Sequence, residues 1–211
     1  MTEIKRFENY EKKLRKKYGE AKSPVFTVSG LAGVGTTTTA KILEKEYDLK
    51  RYNAGDFFRE KSKERNIDIY RMMENLDEIS DKEGKDLDIE CDKLLLELPF
   101  KRSRMLIESR IAGILLNDIA DIRIWVKCPP QIVAERISKR ENKKRKKALK
   151  DIGKRNKSDI ERYRRKYNVN IKNQKYYNVI VDTSESIEYV EEDLLKKIND
   201  KIEELDLSVN L

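Results

Sequence analysis

The chain has 211 residues, 41% of them charged and 38% hydrophobic, with a formal net charge of +8, a size that suits one α/β domain carrying small insertions. It contains no histidine, which excludes Ser-His-Asp and Cys-His catalysis, HExxH metallohydrolases and every histidine-bearing zinc site. Its two cysteines, Cys91 and Cys128, lack CxxC spacing and are expected to be free, half-buried thiols in a reducing compartment.

In residues 2–21, Ile4, Phe7, Tyr10, Leu14 and Tyr18 recur every three or four positions. This predicts an amphipathic helix packed on the core surface, ahead of a main domain over residues 23–211. After Pro24, the β-branched run 25–29 reads as a buried strand, followed by a glycine-rich turn and a helix from Thr37 to about Tyr47. A short strand is expected at 49–53. Residues 54–98 read as charged helices broken near Gly84, and 104–108 and 122–127 as central parallel strands. Pro129-Pro130 stops the second of these before an amphipathic helix with Ile132, Val133 and Ile137. A fifth strand is expected at 178–182 and a closing helix at about 186–205. Strands alternating with helices imply a mostly parallel sheet covered on both faces. No apolar run approaches the roughly 18 residues of a membrane span, and the first residues are charged rather than signal-like. A cytoplasmic protein with no membrane partner is expected.

Charge is unevenly placed. Residues 139–175 hold 17 basic and 4 acidic side chains, leaving 30 basic against 35 acidic elsewhere. A field focused in this way attracts polyphosphate or nucleic acid, unless the segment is simply a solvated lysine-rich face.

Directly after the first strand stands Gly30-Leu31-Ala32-Gly33-Val34-Gly35-Thr36-Thr37-Thr38. It fits the phosphate-binding pattern GxxxxGK[ST] at every fixed place but one, where Thr36 replaces lysine. Gly30, Gly33 and Gly35 let the backbone turn around a phosphate, and successive N–H groups at a helix N-terminus bind its oxygens. Thr37 would place its hydroxyl on Mg²⁺. A helix N-terminus carries only about half an elementary charge, so another cation must replace the lysine. Lys41, four residues after Thr37, is expected to be solvated, and the basic segment at 139–175 is the better donor.

Four blocks resemble the archaeal-type cytidylate kinases, a branch of the P-loop nucleoside monophosphate kinases: Ser29 through Thr38; Ala54-Gly55-Asp56-Phe57-Phe58-Arg59; Ile107-Glu108-Ser109-Arg110-Ile111-Ala112-Gly113; and Ile124 through Pro129, continuing to Arg140-Glu141. The resemblance implies a three-layer α/β/α P-loop fold with a five-stranded parallel sheet, a helical acceptor-binding insertion at 54–98 and a mobile lid at 141–169. It implies transfer of the ATP γ-phosphoryl group to CMP, and to dCMP as well, with Mg²⁺ as cofactor, in a monomer. Thr36 need not mean inactivity in this branch.

By the same resemblance, ATP is held by Gly30, Gly33, Val34, Gly35, Thr36, Thr37 and Thr38, with Arg136 and Arg140 flanking the adenine or phosphates. Arg59 grips the acceptor phosphate with its planar fork. Asp56 either touches the acceptor or caps the helix, and Arg110 contacts the acceptor phosphate or base. Glu108 orders the magnesium shell beside Thr37. Ala54 and Ser109 depart from the family's usual Ser and Gly. Arg155 and Arg162, seven residues apart, share a helix face and are expected to converge on the transferring group together with Arg110, while Asp159 pairs with a lysine. A kinase for AMP or UMP, or a non-catalytic nucleotide-binding protein that works on RNA, remains open.

Overall fold

Val25 to Gly30 is buried at every position, as a strand flanked by parallel neighbours on both sides must be, and it is the centre around which the chain winds. The computed structural model describes residues 3–84 and 86–207. The elements, in chain order, are α1 (Glu3–Tyr18), β1 (Val25–Gly30), α2 (Thr36–Glu46), β2 (Lys50–Asn53), α3 (Ala54–Glu64), α4 (Ile69–Glu74), α5 (Leu76–Glu83), α6 (Leu87–Lys101), β3 (Met105–Glu108), α7 (Ala112–Leu115), β4 (Ile122–Lys127), α8 (Pro130–Glu141), α9 (Arg145–Tyr167), a 3-10 turn (Gln174–Tyr176), β5 (Val179–Asp182) and α10 (Ile187–Glu204). The five strands pair in parallel in the order β2-β3-β1-β4-β5.

Two apolar layers cover the sheet. One packs Leu43, Val133, Leu194 and Ile198 from α2, α8 and α10 against Phe26, Val28, Ile124 and Val126. The other packs α6, α7 and the end of α9 against the opposite face through Leu95, Phe100, Ala112, Tyr163 and Tyr167. Gly113 is forced to be small, since a Cβ there would lie 2.4 Å from the Tyr177 ring.

α1 buries Phe7 and Leu14 against α6 and α9, with the Phe7 ring 5.8 Å from that of Tyr167. Tyr10 bonds Glu97 of α6. The side chain of Ile4 falls outside the described residues.

Several local expectations shift. β3 starts at Met105 because Arg104 takes a left-handed φ of 58°, its guanidinium reaching the Tyr47 carbonyl at 2.6 Å. α6 runs past the expected limit at 98 and through Pro99 to Lys101. Near the helix end, the Pro99 carbonyl accepts from the Lys22 amide at 2.8 Å. The apolar run around Ala112 forms a short helix that periodicity over so few residues does not reveal. Cys91 is fully buried and only Cys128 half-buried.

Candidate active site

The loop after β1 is shaped by contacts that only glycine permits. A Cβ on Gly30 would lie 2.7 Å from the Val126 carbonyl, and Gly33 and Gly35 hold φ of 83° and 97°. Gly35 caps α2 without any side-chain bond, so the first amides of that helix face the loop's concavity. The loop is tied from outside. The Thr183 hydroxyl, just past β5, donates to the Val34 carbonyl at 2.6 Å, and the Ala32 amide donates to Asn156 of α9 at 2.9 Å. Val34 buries its side chain in the core, leaving its amide as its means of binding a ligand.

Below the loop, Glu108 ends β3 beside the glycine strand and is only 5% exposed. Its Oε1 accepts from the Thr37 hydroxyl at 2.6 Å and the Thr36 hydroxyl at 3.1 Å, and its Oε2 accepts from Arg51 at 3.1 Å. A hydroxyl that gives its proton to a carboxylate turns lone pairs outward, the orientation a metal ligand needs. Among the described residues no group of three or more acidic or thiol side chains could cage a metal. The donor set of one hydroxyl and one carboxylate fits Mg²⁺, which usually keeps its waters and takes substrate phosphate oxygens for the rest.

A cleft of about 1160 Å³ opens from the loop, lined by Gly33, Gly35, Thr36, Thr37 and Thr38, by Arg59 and Glu108, and by Arg110, Arg136, Arg140, Arg155 and Arg162. It exceeds the roughly 300–1,000 Å³ of a single-ligand pocket. The sequence-predicted site residues other than Gly30, Val34 and Asp56 thus line one space, at the carboxyl ends of the strands where β1 lies between β3 and β4, as open α/β sheets require.

Their partners differ from several expectations. Asp56 does not cap α3: Asn53 does, its side chain accepting from Gly55 at 2.7 Å, because the capping side chain must come from the residue before the helix. Asp56 instead holds Arg59 at 2.5 and 3.1 Å on the surface. Asp159 pairs with two arginines, not a lysine: Arg110 Nε at 3.1 Å and Arg162 Nη2 at 3.1 Å. Buried at 5% exposure, it needs rigid, always-charged partners. Arg110 also donates to the Gly30 carbonyl at 3.3 Å.

Arg155 and Arg162 lie on one side of α9, yet only Arg155 is exposed. Arg162 is buried beside Asp88 at 3.4 Å and Asp159. Although burial opposes its charge, the Asp88 carboxylate raises its pKa further. Arg136 spends its guanidinium on the Thr183 and Glu185 carbonyls, at 2.5 and 3.3 Å, and Arg140 on Glu141. Lys41 is solvent-exposed, as expected.

Sequence reasoning missed Arg51, Asn156, Thr183, and the buried pair Asp88 and Asp92. Two carboxylates four apart on an otherwise apolar helix face were the one readable signal. Asp92 accepts from the Tyr167 hydroxyl at 2.5 Å, and burial, reinforced by Asp88, pushes its carboxyl up to about 8.

Residues 25–185 match the model of the cytidylate kinase-like family. The chain is 36% identical over 163 residues to a protein named cytidylate kinase from Methanocaldococcus jannaschii, covering 76% of this chain and 88% of the relative. It is 35% identical to one of the same name from Pyrococcus abyssi, covering 76% and 84%. Among solved structures, the fold matches an uncharacterized protein from Eubacterium ventriosum, at 18% identity and TM-score 0.61 over 84% of this chain and 99% of that one. It also matches a shikimate kinase from Bacteroides thetaiotaomicron, at 12% identity and TM-score 0.54 over 85% and 98%.

Proposed function

The chain belongs to the cytidylate kinase-like family, and we propose that it transfers the γ-phosphoryl group of ATP to CMP, and to dCMP, giving ADP and the pyrimidine diphosphate. One observation carries this reading: the glycine loop, the Glu108–Thr37 pair and four arginines, Arg59 of α3, Arg110 after β3, and Arg155 and Arg162 of α9, line a single cleft large enough for two nucleotides.

The loop amides from Gly30 to Thr38 would cradle the ATP phosphates, with Arg136 and Arg140 at the mouth of the adenine end. Thr37 and Glu108 would hold Mg²⁺, which supplies neutralisation of phosphate charge. Residues 54–98 act as the acceptor insertion, where Arg59 holds the monophosphate. Residues 141–169 act as the lid, which brings Arg155 over the transferring group and excludes water. Arg110, tied to Gly30 and Asp159, bridges donor and acceptor halves. Arg162 contributes to the same face while fastening the lid helix. The attacking phosphate oxygen is already ionised, so no general base is needed, and the transfer is a direct in-line displacement governed by positioning and charge.

A coupled assay with CMP, dCMP, UMP and AMP tests this. CMP and dCMP are expected to give the highest kcat/KM, and faster turnover of AMP or UMP would overturn the choice of acceptor.

A further inference from the structure

Glu108 uses its two oxygens for different tasks. Oε1 takes the hydroxyl protons of Thr36 and Thr37, at 3.1 and 2.6 Å, whereas Oε2 is held by Arg51 Nη1 at 3.1 Å. Arg51 comes from the edge strand β2, where Asn53 is registered with Glu108 and Arg51 with Leu106. Its Nε is anchored by Glu44 of α2 at 3.0 Å. One guanidinium fork thus joins β2, α2 and the end of β3, with its side chain 18% exposed against 7% for Glu108. Arg51 does not line the cleft. Anything it does for a nucleotide, it does through Glu108.

Such a contact answers a problem specific to this loop. Phosphate oxygens must settle beside a buried carboxylate, with Thr36 where a lysine ammonium would offset that charge. A buried carboxylate with no cation is costly to desolvate. A carboxylate bonded only through Oε1 could also rotate away from the hydroxyls it orients. Arg51 is the cation that Glu108 contacts among the described residues, and it is already immobilised by Glu44.

We propose that Arg51 is a positioning residue of the phosphate site: by clamping Oε2 of Glu108 it keeps Oε1 aimed at Thr36 and Thr37, so that the Thr37 hydroxyl presents its lone pairs to the metal–phosphate group. This rests on the reading of the loop as an ATP site. It deepens that reading by locating, outside the loop and outside the lid, the residue that fixes the orientation of the metal-side carboxylate.

The test is calorimetric titration of ATP into the full chain, with Mg²⁺ and with Mg²⁺ removed by chelator, for the wild type and for Arg51→Met, Arg51→Lys, Glu108→Gln and the Arg51→Met/Glu108→Gln pair. Outer-shell partners of metal ligands are typically worth about 10–100-fold in affinity or activity. Arg51→Met is therefore expected to weaken Mg·ATP binding at least ~10-fold, with metal-free ATP binding changed less than ~3-fold. Arg51→Lys should recover part of the loss. On the Glu108→Gln background, Arg51→Met should add nothing, because it acts through that carboxylate. Unchanged Mg·ATP binding in Arg51→Met, equal losses with and without metal, or additive losses in the pair would overturn the proposal. Should Arg51→Met fail to fold, Arg51→Lys and the pair, in which only the partly exposed Glu44 carboxylate loses a partner, carry the same comparison. A wild type that binds Mg·ATP yet phosphorylates neither CMP nor dCMP would refute the acceptor reading and leave the binding test of Arg51 intact.

Discussion

Thr36, Thr37 and Glu108 were legible as candidate site residues because a glycine loop and a strand-end acid occupy fixed places in the motif. Arg51 and Asp92 were not, since each acquires its meaning from a partner brought by folding: Arg51 from strand register with β3, Asp92 from a tyrosine 75 residues away. Asp92 gives a prediction at this scale. Its carboxyl is pushed up to about 8 by burial and by Asp88, against about 3.9 in an unfolded chain. Between those values the folded protein binds the proton more strongly than the unfolded one does, so stability falls as pH rises through that window. Each pKa unit is worth ~1.4 kcal/mol, and the penalty at pH 8 reaches several kcal/mol. Asp92→Asn keeps an acceptor for Tyr167 and removes the ionisation. In thermal melts the variant should gain on the wild type steadily from pH 5 to pH 8.5. A difference that does not vary with pH would show that Asp92 ionises normally in the fold.

At the scale of elements, hydrophobic periodicity located the five strands and helices α1, α2, α8 and α10, because amphipathic stripes and buried β-branched runs are local properties, but it did not separate the four helices that begin between 54 and 98 or reveal α7. It did not show how α9 is fastened. From sequence, Arg155 and Arg162 are equivalent, seven residues apart on one face. In the fold one is exposed, and the other lies buried between Asp88 of α6 and Asp159, where Lys166 also reaches Asp86 and Asp88 at 2.8 Å each. The two arginines should therefore fail differently. Removing Arg162 leaves Asp88 with Lys166 alone and Asp159 with Arg110 alone, so Arg162→Ala is expected to lower the urea midpoint by a sizeable part of the roughly 3–5 kcal/mol that breaking a buried pair costs. Arg155→Ala should melt within a degree or two of the wild type and lose kcat about 10²-fold, as loss of one charge-stabilising donor does, with ATP affinity little changed. Equal stability losses in the two variants, or an unaffected kcat in Arg155→Ala, would contradict this division.

For the whole molecule, the alternation of strands and helices was enough to read a parallel α/β sheet. The order β2-β3-β1-β4-β5 depends on which crossovers pack together, and that is a long-range choice. The same order brings the basic stretch at 139–175 across the cleft as α8 and α9. Folding divides its charge into two populations. Arg162 and Lys166, facing inward, are paired with Asp159, Asp88 and Asp86, while Arg145, Lys146, Lys147 and Lys150 stay exposed. Exposed charges a Debye length from a ligand, about 10 Å at 0.1 M salt, act on its approach and little on its bound state. The outer face of α9 should accordingly steer polyanionic nucleotides inward without entering the transfer step. Stopped-flow association of Mg·ATP is expected to slow several-fold between 25 and 500 mM NaCl while kcat at saturation changes little, and replacing Lys146, Lys147 and Lys150 with Gln should flatten that dependence. A salt dependence unaltered by the triple replacement would move the steering field to the arginines that line the cleft itself.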